Sequence, residues 1–179
     1  MRAVPAVDLR EGACVQLVGG DFADERVRIA DPLAAVERWK SAGFTALHVV
    51  DLDAAMGRGD NAATLARILA VPGLSFSIGG GVRSAERVQT LLEAGAARVV
   101  VGTRAVEEPE WLAMLAKQFP HRLVLAADVR GREVVARAWT RGTGRDVFEL
   151  IAEIDSLPLA GALVTSVQVE GRMKGPDLE

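Results

Sequence analysis

Pro5-Ala6-Val7-Asp8-Leu9-Arg10 returns 120 residues later as Leu125-Ala126-Ala127-Asp128-Val129-Arg130, so that Asp8 and Asp128 hold the same place in two copies. A short stretch rich in β-forming residues follows each copy, at residues 13–18 and 133–139. The two copies predict an internal repeat. If a period of about 120 residues holds four strand–helix units, each unit has about 30 residues. That is the size expected when roughly 250 residues form eight units.

Short runs of Val, Ile and Leu alternate with helical patterns along the chain, as is typical of βα units around a parallel sheet. Cap residues predict four helices, which begin after Asp31, Ser84, Glu108 and Asp146, and Phe148 is placed on the inward face of the last. The predicted strands are residues 3–7, 46–50, 75–78, 98–101, 123–127 and 162–164. We therefore predict an α/β fold, a (β/α)8 TIM barrel of which about six of the eight βα units are present.

The domain organisation follows from the repeat. We predict one partial barrel domain over residues 1–179, with one copy at 1–120 and an incomplete copy at 121–179. The copies also match at Gly59-Asp60-Asn61 and Gly175-Pro176-Asp177. Six strands leave two parallel edges uncovered, which is costly. We therefore expect either that the chain is truncated at its C-terminal end or that its open sheet edges support self-association.

Composition limits the partners and the location. Half of the 179 residues are hydrophobic and the formal net charge is −3, so a nucleic-acid partner is not expected. Cys14 is the only cysteine, which excludes an internal disulfide framework. The sequence has neither a signal-peptide pattern nor an apolar stretch of roughly 18 residues. We expect a cytoplasmic protein that binds a small molecule and not a membrane.

Two aspartates are the candidate acid and base. Counting back by twos from Asp8 and Asp128 places both on the inner face of their strands, at the carboxyl ends where barrel active sites lie. Two carboxyl groups on opposite strands suit one general base and one general acid, and we predict that the two converge on one bound sugar. The alternative is that each aspartate caps the following loop or pairs with a nearby arginine.

A glycine-rich loop is the candidate anion site. Residues 78–84, IGGGVRS, follow a strand and lead into a helix, so backbone N–H groups and the helix N-terminus face one point. Gly102 and Thr103 follow the adjacent strand and extend the predicted cradle. A tight turn is the alternative, and no Walker or dinucleotide pattern is present.

Three further residues carry less specific signals. His48 alternates out of phase with Asp51, which we predict at the mouth, so His48 is predicted to face the helices in a structural role. Arg137 and Trp139 lie on the excursion after the fifth strand. Two interpretations are equally good. Arg137 and Trp139 either pack within the fold, or contact a phosphate and stack on the substrate from an active-site loop.

These phrases together resemble the histidine-pathway isomerases, which convert ProFAR, an N-glycosidic aminoaldose with two phosphates, into the aminoketose PRFAR. The resemblance covers the whole chain and rests on residues 4–9, 47–55, 78–83, 101–103, 127–131 and 138–139. It implies a TIM-barrel isomerase of amino-acid biosynthesis that needs no cofactor or metal. The implied catalytic residues are Asp8 as proton acceptor, Asp128 as proton donor and Thr165 as their assistant. The predicted substrate and phosphate contacts are Gly80, Gly81, Arg83, Gly102, Thr103, Asp51, Arg137 and Trp139.

The sixth loop departs from the family pattern. Thr165-Ser166-Val167 stands where the family has Thr-Asp-Val, and Glu170-Gly171-Arg172 where it has Asp-Gly-Thr. Three alternatives stay open: a dual-substrate isomerase that also acts on phosphoribosylanthranilate, the related cyclase with a glutaminase partner, and a non-catalytic truncated fragment.

Overall fold

The computed structural model describes residues 3–172 and residue 175; Pro176 and Asp177 of the second repeat copy lie outside the described residues. Strands and helices alternate through this range. The described strands are β1 (Ala6–Arg10), β2 (Ala13–Val18), β3 (Asp21–Ile29), β4 (Ala46–Asp51), β5 (Ser75–Gly79), β6 (Arg98–Val101), β7 (Leu123–Arg130), β8 (Glu133–Ala136), β9 (Arg141–Asp146) and β10 (Gly161–Ser166). The described helices are α1 (Pro32–Ser41), α2 (Leu52–Met56), α3 (Ala62–Leu69), α4 (Ala85–Glu93), α5 (Thr103–Glu107), α6 (Pro109–Gln118) and α7 (Val147–Ile154).

The chain divides into two compact units. The first unit comprises Met1–Gln16 and Glu25–Val100, and the second comprises Leu17–Asp24 and Val101–Glu179. The units follow spatial contacts, whereas the predicted copies at 1–120 and 121–179 follow the sequence repeat. The single-domain organisation inferred from that repeat stays a prediction.

Parallel strands form the sheet of the first unit. β1 pairs in parallel with β4, β4 with β5 and β5 with β6, while β2 folds back antiparallel on β1. Across β1, β4 and β5 the register aligns Ala6, His48 and Ser77 in one row, and the next row toward the carboxyl ends holds Asp8, Val50 and Gly79. The residues that alternate with these rows on the three strands are buried and form much of the core; they are Val7, Leu9, Leu47, Val49, Phe76 and Ile78.

β7 is the centre of the second unit. It pairs in parallel with β10 and antiparallel with β8, and β8 continues to β9. The burial of β7 alternates, because Leu123, Leu125, Ala127 and Val129 are buried and the intervening residues through Asp128 are half-buried. This period of two sets one face of the strand against apolar packing and leaves the other more open.

The predicted parallel strands and the caps are largely confirmed. All six strands are present, although the first begins at Ala6 and not at Ala3, where Val4 is 47% exposed and outside the ladder. Asp31, Ser84 and Asp146 accept hydrogen bonds from the backbone of the helices they open, whereas Glu108 precedes α6 without a side-chain cap bond. The inward placement of Phe148 was wrong. Its ring is 65% exposed and lies under the guanidinium of Arg132, 4.8 Å from the ring centroid.

Three short helices were not predicted. α2 and α5 have five residues each and follow strands directly, so they are too short to show a period of 3.6. α3 buries only Leu65 and Ile68. Within the described part of the chain, no helix is long and apolar enough to cross a membrane.

Candidate active site

Asp8 lies on β1, on the face opposite the buried Val7 and Leu9. This agrees with the predicted parity, because Asp8 shares its face with Ala6. The antiparallel partner β2 places Cys14 next to Leu9, close enough to Asp8 for an electrostatic effect. Burial, and then the charge of Asp8, raises the pKa of the Cys14 thiol.

Asp128 occupies the corresponding position near the end of β7, and three side chains meet there. Thr165 of β10 is its register partner, and its hydroxyl hydrogen-bonds the carboxyl group. The indole Nε1 of Trp139 donates to Asp128 Oδ2 at 2.8 Å. Burial raises the pKa of Asp128, while the hydrogen bonds from Trp139 and Thr165 act in the opposite direction. The predicted residues Asp128, Thr165 and Trp139 therefore form one cluster.

The turn that carries Trp139 has an uncommon backbone. Arg137, Ala138 and Trp139 have φ values of 54°, 53° and 67°, a left-handed conformation that costs energy in residues with a Cβ atom. The hydroxyl oxygen of Thr103 accepts a 3.3 Å hydrogen bond from the Arg137 N–H. The Arg137 guanidinium pairs with Glu107 at 2.9 Å on the surface. Trp139 thus contacts the Asp128 carboxyl group and Arg137 makes a surface ion pair, while the role of this loop stays a prediction.

The glycine-rich loop after β5 packs tightly against the backbone of the first unit. Gly80 and Gly81 have φ values of 99° and 67°, and a Cβ atom at either position would overlap the carbonyl oxygen of Asp51 or Ala54. Only glycine fits here. The nearby Arg83 donates to the carbonyl oxygens of Ala54 and Ala55 at 3.2 and 2.9 Å. These bonds hold Arg83 against the end of α2, and its predicted contact with a phosphate stays a prediction.

Gly102 and Thr103 form the other part of the predicted cradle. Gly102 precedes α5 and its backbone carbonyl accepts from the N–H groups of Ala105 and Val106 at 2.8 and 3.2 Å. The Gly102 carbonyl oxygen is therefore bonded to N–H groups of α5 itself. The first N–H groups of α5 have no partner in the preceding turn of the helix, as at any helix start.

Asp51 does not lie at an open mouth, which corrects its prediction as a substrate contact. It is 0% exposed and caps α2 by accepting from the Ala54 N–H at 3.1 Å. Asn61 donates to it twice, from the backbone N–H at 2.8 Å and from Nδ2 at 2.7 Å. Its buried carboxylate is satisfied by the protein itself, as a buried charge must be.

Asn61 and Asp53 extend this network, which sequence reasoning missed. Asn61 Nδ2 also donates to Asp53 at 2.9 Å, and Asn61 Oδ1 accepts from the Gly12 N–H at 2.8 Å. Asp53 accepts from the Glu11 N–H at 2.6 Å. The network ties the turn between β1 and β2 to the loop after β4. Its only signal in the sequence is the pair Asp51 and Asp53, with Asn61 eight residues later.

His48 was predicted to face the helices, and this was wrong. On β4 the buried residues are Leu47, Val49 and Asp51, so His48 lies on the opposite face, which it shares with Asp8. The error arose because Asp51 was assumed to lie on the inner face of β4, and the face of His48 was deduced from that assumption. Burial lowers the pKa of His48.

Comparison with known proteins identifies the family of the chain. The family model described as histidine biosynthesis protein matches residues 2–179. A relative from Myxococcus xanthus (strain DK1622) is 57% identical over 179 residues, which cover 99% of this chain and 75% of the relative. It is named 1-(5-phosphoribosyl)-5-((5-phosphoribosylamino)methylideneamino) imidazole-4-carboxamide isomerase.

Two other relatives carry related names. A protein with the same name from Gemmatimonas aurantiaca is 51% identical over 178 residues, covering 99% of this chain and 75% of the relative. A protein from Streptomyces griseus named phosphoribosyl isomerase A is 38% identical, with coverage of 99% and 73%. The chain therefore belongs to the histidine biosynthesis protein family, whose fold is the (β/α)8 barrel.

Proposed function

We propose that the chain is an aldose–ketose isomerase of histidine biosynthesis that converts ProFAR into PRFAR by an Amadori rearrangement. The relatives at 57% and 51% identity carry the name of this isomerase. The observation that carries the proposal is the cluster on β7, where a half-buried carboxyl group has a raised pKa and contacts Thr165 and Trp139. Such surroundings suit a group that must give up a proton.

Asp128 is the proposed general acid. Its proton passes to the ribose ring oxygen, the C1–O bond breaks, and a C1=N double bond forms with a positive charge on nitrogen. A carboxyl group at its reference pKa of about 4 holds almost no proton near neutral pH. Burial of Asp128 raises the pKa in the direction that this role requires.

Asp8 is the proposed general base. It removes the C2 proton, and the electron pair of that C–H bond forms a C1=C2 double bond as the nitrogen charge is neutralised. The resulting enol then loses its hydroxyl proton and gains a proton at C1, which gives the ketose. The whole sequence moves only protons and electron pairs within one molecule, so oxidation and reduction balance inside the substrate.

The phosphate groups are proposed to bind backbone N–H groups at the two glycine-bearing loops. Gly80 and Gly81 let the chain turn where a Cβ atom would collide with neighbouring carbonyls. Gly102 and Thr103 begin α5. N–H groups at such turns and helix starts bind anions. Asp51 is left out of the proposed contacts because its buried carboxylate is bonded within the protein. Arg83 and Arg137 make contacts within the protein, and their predicted role in binding phosphate stays a prediction.

The test is turnover of ProFAR by the 179-residue chain, with substrate and product separated by chromatography. Asp8→Asn and Asp128→Asn should each abolish turnover and retain the fold, as judged by circular dichroism. The matched control is Asp155→Asn at an exposed position after α7, which should leave turnover unchanged. Retained turnover in either of the first two variants removes that residue from the mechanism.

The alternatives are separated by two further measurements. Turnover of phosphoribosylanthranilate would identify a dual-substrate isomerase, and binding of phosphate without turnover of either substrate would identify a non-catalytic fragment. The names of the relatives do not favour these alternatives. Sedimentation velocity tests the predicted self-association, which stays a prediction.

A further inference from the structure

His48 shares a face with the proposed base Asp8. The register of the first unit aligns His48 with Ala6 on β1 and with Ser77 on β5. Asp8 belongs to the next row toward the carboxyl ends, together with Val50 and Gly79. Rows on one face are two residues apart, about 7 Å along the strand. An imidazole directed along β4 spans most of that distance.

The ring does extend toward the row of Asp8. A Cβ atom built on Gly79 would lie 3.4 Å from His48 Cε1, which is ordinary van der Waals contact. The ring therefore lies beside the position where Gly79 lacks a side chain. The imidazole therefore reaches the row of Gly79, which also contains Asp8 two strands away.

Ser77 fixes which ring nitrogen carries the proton. His48 Nδ1 lies 3.1 Å from the Ser77 carbonyl oxygen and 3.1 Å from its hydroxyl oxygen. A carbonyl oxygen can only accept, so Nδ1 is the protonated nitrogen and Nε2 has a lone pair. This tautomer is assigned from the hydrogen-bond partners. Burial lowers the pKa of His48, which keeps the ring neutral at physiological pH.

The other nitrogen is available. Within residues 3–172, Nε2 forms no hydrogen bond with the protein. No fully buried side-chain nitrogen or oxygen of the described residues lacks a partner, so Nε2 retains contact with solvent. A lone pair on a neutral nitrogen repels a phosphate and attracts a hydroxyl proton. Nε2 is therefore suited to accept a hydrogen bond from a hydroxyl group of a ligand.

We propose that His48 accepts a hydrogen bond from the C2 hydroxyl of the sugar through Nε2, and that Ser77 is a positioning residue that holds the ring. The inference rests on the proposed function, because C2 bears both this hydroxyl and the hydrogen that Asp8 removes. An acceptor on the same face as the base orients C2 so that its hydrogen points to the carboxylate. Orientation of this kind lowers the activation barrier.

The test compares two sugar phosphates that differ by one hydroxyl. Ribose 5-phosphate and 2-deoxyribose 5-phosphate are titrated by calorimetry into the chain and into His48→Phe. Loss of one neutral hydrogen bond corresponds to a change of up to roughly 10-fold in affinity. We expect the wild-type chain to bind ribose 5-phosphate about 5- to 10-fold more tightly, and His48→Phe to bind the two with equal affinity.

Two other variants complete the test. His48→Gln keeps an acceptor near the position of Nε2 and should restore most of the discrimination, so it remains informative if His48→Phe does not fold. Ser77→Ala removes one of two partners of Nδ1 and should reduce the discrimination only in part. A merely structural role of His48 would lower the unfolding temperature of these variants without changing the ratio of the two affinities.

The outcomes separate this inference from the proposed function. Equal affinities in the wild-type chain, or full discrimination in a folded His48→Phe, overturn the role of His48 even if ProFAR is turned over. Discrimination without turnover supports the role of His48 and counts against the proposed function alone. Failure of the wild-type chain to bind either sugar phosphate overturns the role of His48, while turnover of ProFAR alone decides the proposed function.

Discussion

The indole N–H of Trp139 donates a 2.8 Å hydrogen bond to the carboxyl group of Asp128. The bond joins the proposed acid to a turn in which three consecutive residues with a Cβ atom have positive φ. It also opposes the effect of burial on the pKa of Asp128, because a hydrogen bond to a carboxylate favours its charged form. Trp139 therefore links the shape of the loop to the proton affinity of the acid.

Trp139→Phe should raise the pKa of Asp128 further, because the substitution removes a donor and keeps an aromatic ring. A hydrogen bond to a carboxylate favours its charged form, so its loss moves the pKa of Asp128 upward, in the same direction as burial. The carboxyl carbon of Asp128, followed by 13C NMR titration, measures it. Trp39→Phe, in the other unit, is the matched control and should leave this pKa unchanged. A lower pKa in Trp139→Phe would contradict the role given to the bond.

Asp128→Asn should become more stable relative to the wild-type chain as the pH rises. Burial raises the folded-state pKa of Asp128 above its ordinary value of 3.8, so the folded state holds this proton more tightly than the unfolded state. The contribution of Asp128 to stability is fully present below pH 3.8 and is lost as the pH rises through the folded-state pKa. Urea unfolding of both proteins from about pH 4 to pH 8 measures the difference. A difference that does not change with pH would rule out the raised pKa.

Gly80→Ala should destabilise the first unit much more than Gly73→Ala. Both glycines have positive φ, at 99° and 81°, but only at Gly80 would the added methyl group collide, with the carbonyl oxygen of Asp51. Positive φ alone costs about 1–2 kcal/mol, and the collision adds about 1–3 kcal/mol. Urea unfolding gives the two free energies. Equal losses would show that the loop can move away from Asp51.

Asn61→Ala should lower the free energy of unfolding by about 3 kcal/mol, because it removes the side-chain bonds to Asp51, Asp53 and the Gly12 N–H. Chemical denaturation measures the change. Arg67→Ala, which breaks an ion pair with Asp31 that is more than half exposed on both sides, is the control. That control should change stability by less than about 1 kcal/mol. A comparable loss in both variants would mean that the Asn61 network is not a major source of stability.

The sequence was sufficient for the parallel strands, for three of the four helix caps and for the parity of Asp8 and Asp128. Each of these depends on local patterns that tertiary packing did not reverse. The sequence was insufficient to show which side chains of β4 are buried. An aspartate at the end of a strand suggests an open carboxylate, yet Asp51 is buried and satisfied by Asn61, ten residues further along the chain. The error then passed to His48, whose face was counted from Asp51.

The long charged side chains were also beyond sequence reasoning. Arg83 reaches carbonyl groups at the end of α2, and Arg137 reaches Glu107, thirty residues away in the sequence. A flexible side chain with several donors can bind a substrate or its own fold, and the choice depends on distant backbone positions. Thr165 and Asp128 lie side by side because their strands are parallel neighbours in register.

Residues 17–24 belong to the second unit although they lie near the start of the chain. The Gly19 N–H donates to the carbonyl oxygen of Glu170 at 3.2 Å, and Gly20 lies against the indole of Trp139. A gene cut before Val101 would therefore yield a downstream piece that lacks eight of its own residues. The sequence repeat suggests that the two halves could be exchanged between relatives. Such an exchange would have to transfer residues 17–24 together with the second half, because these residues contact Trp139 and Glu170.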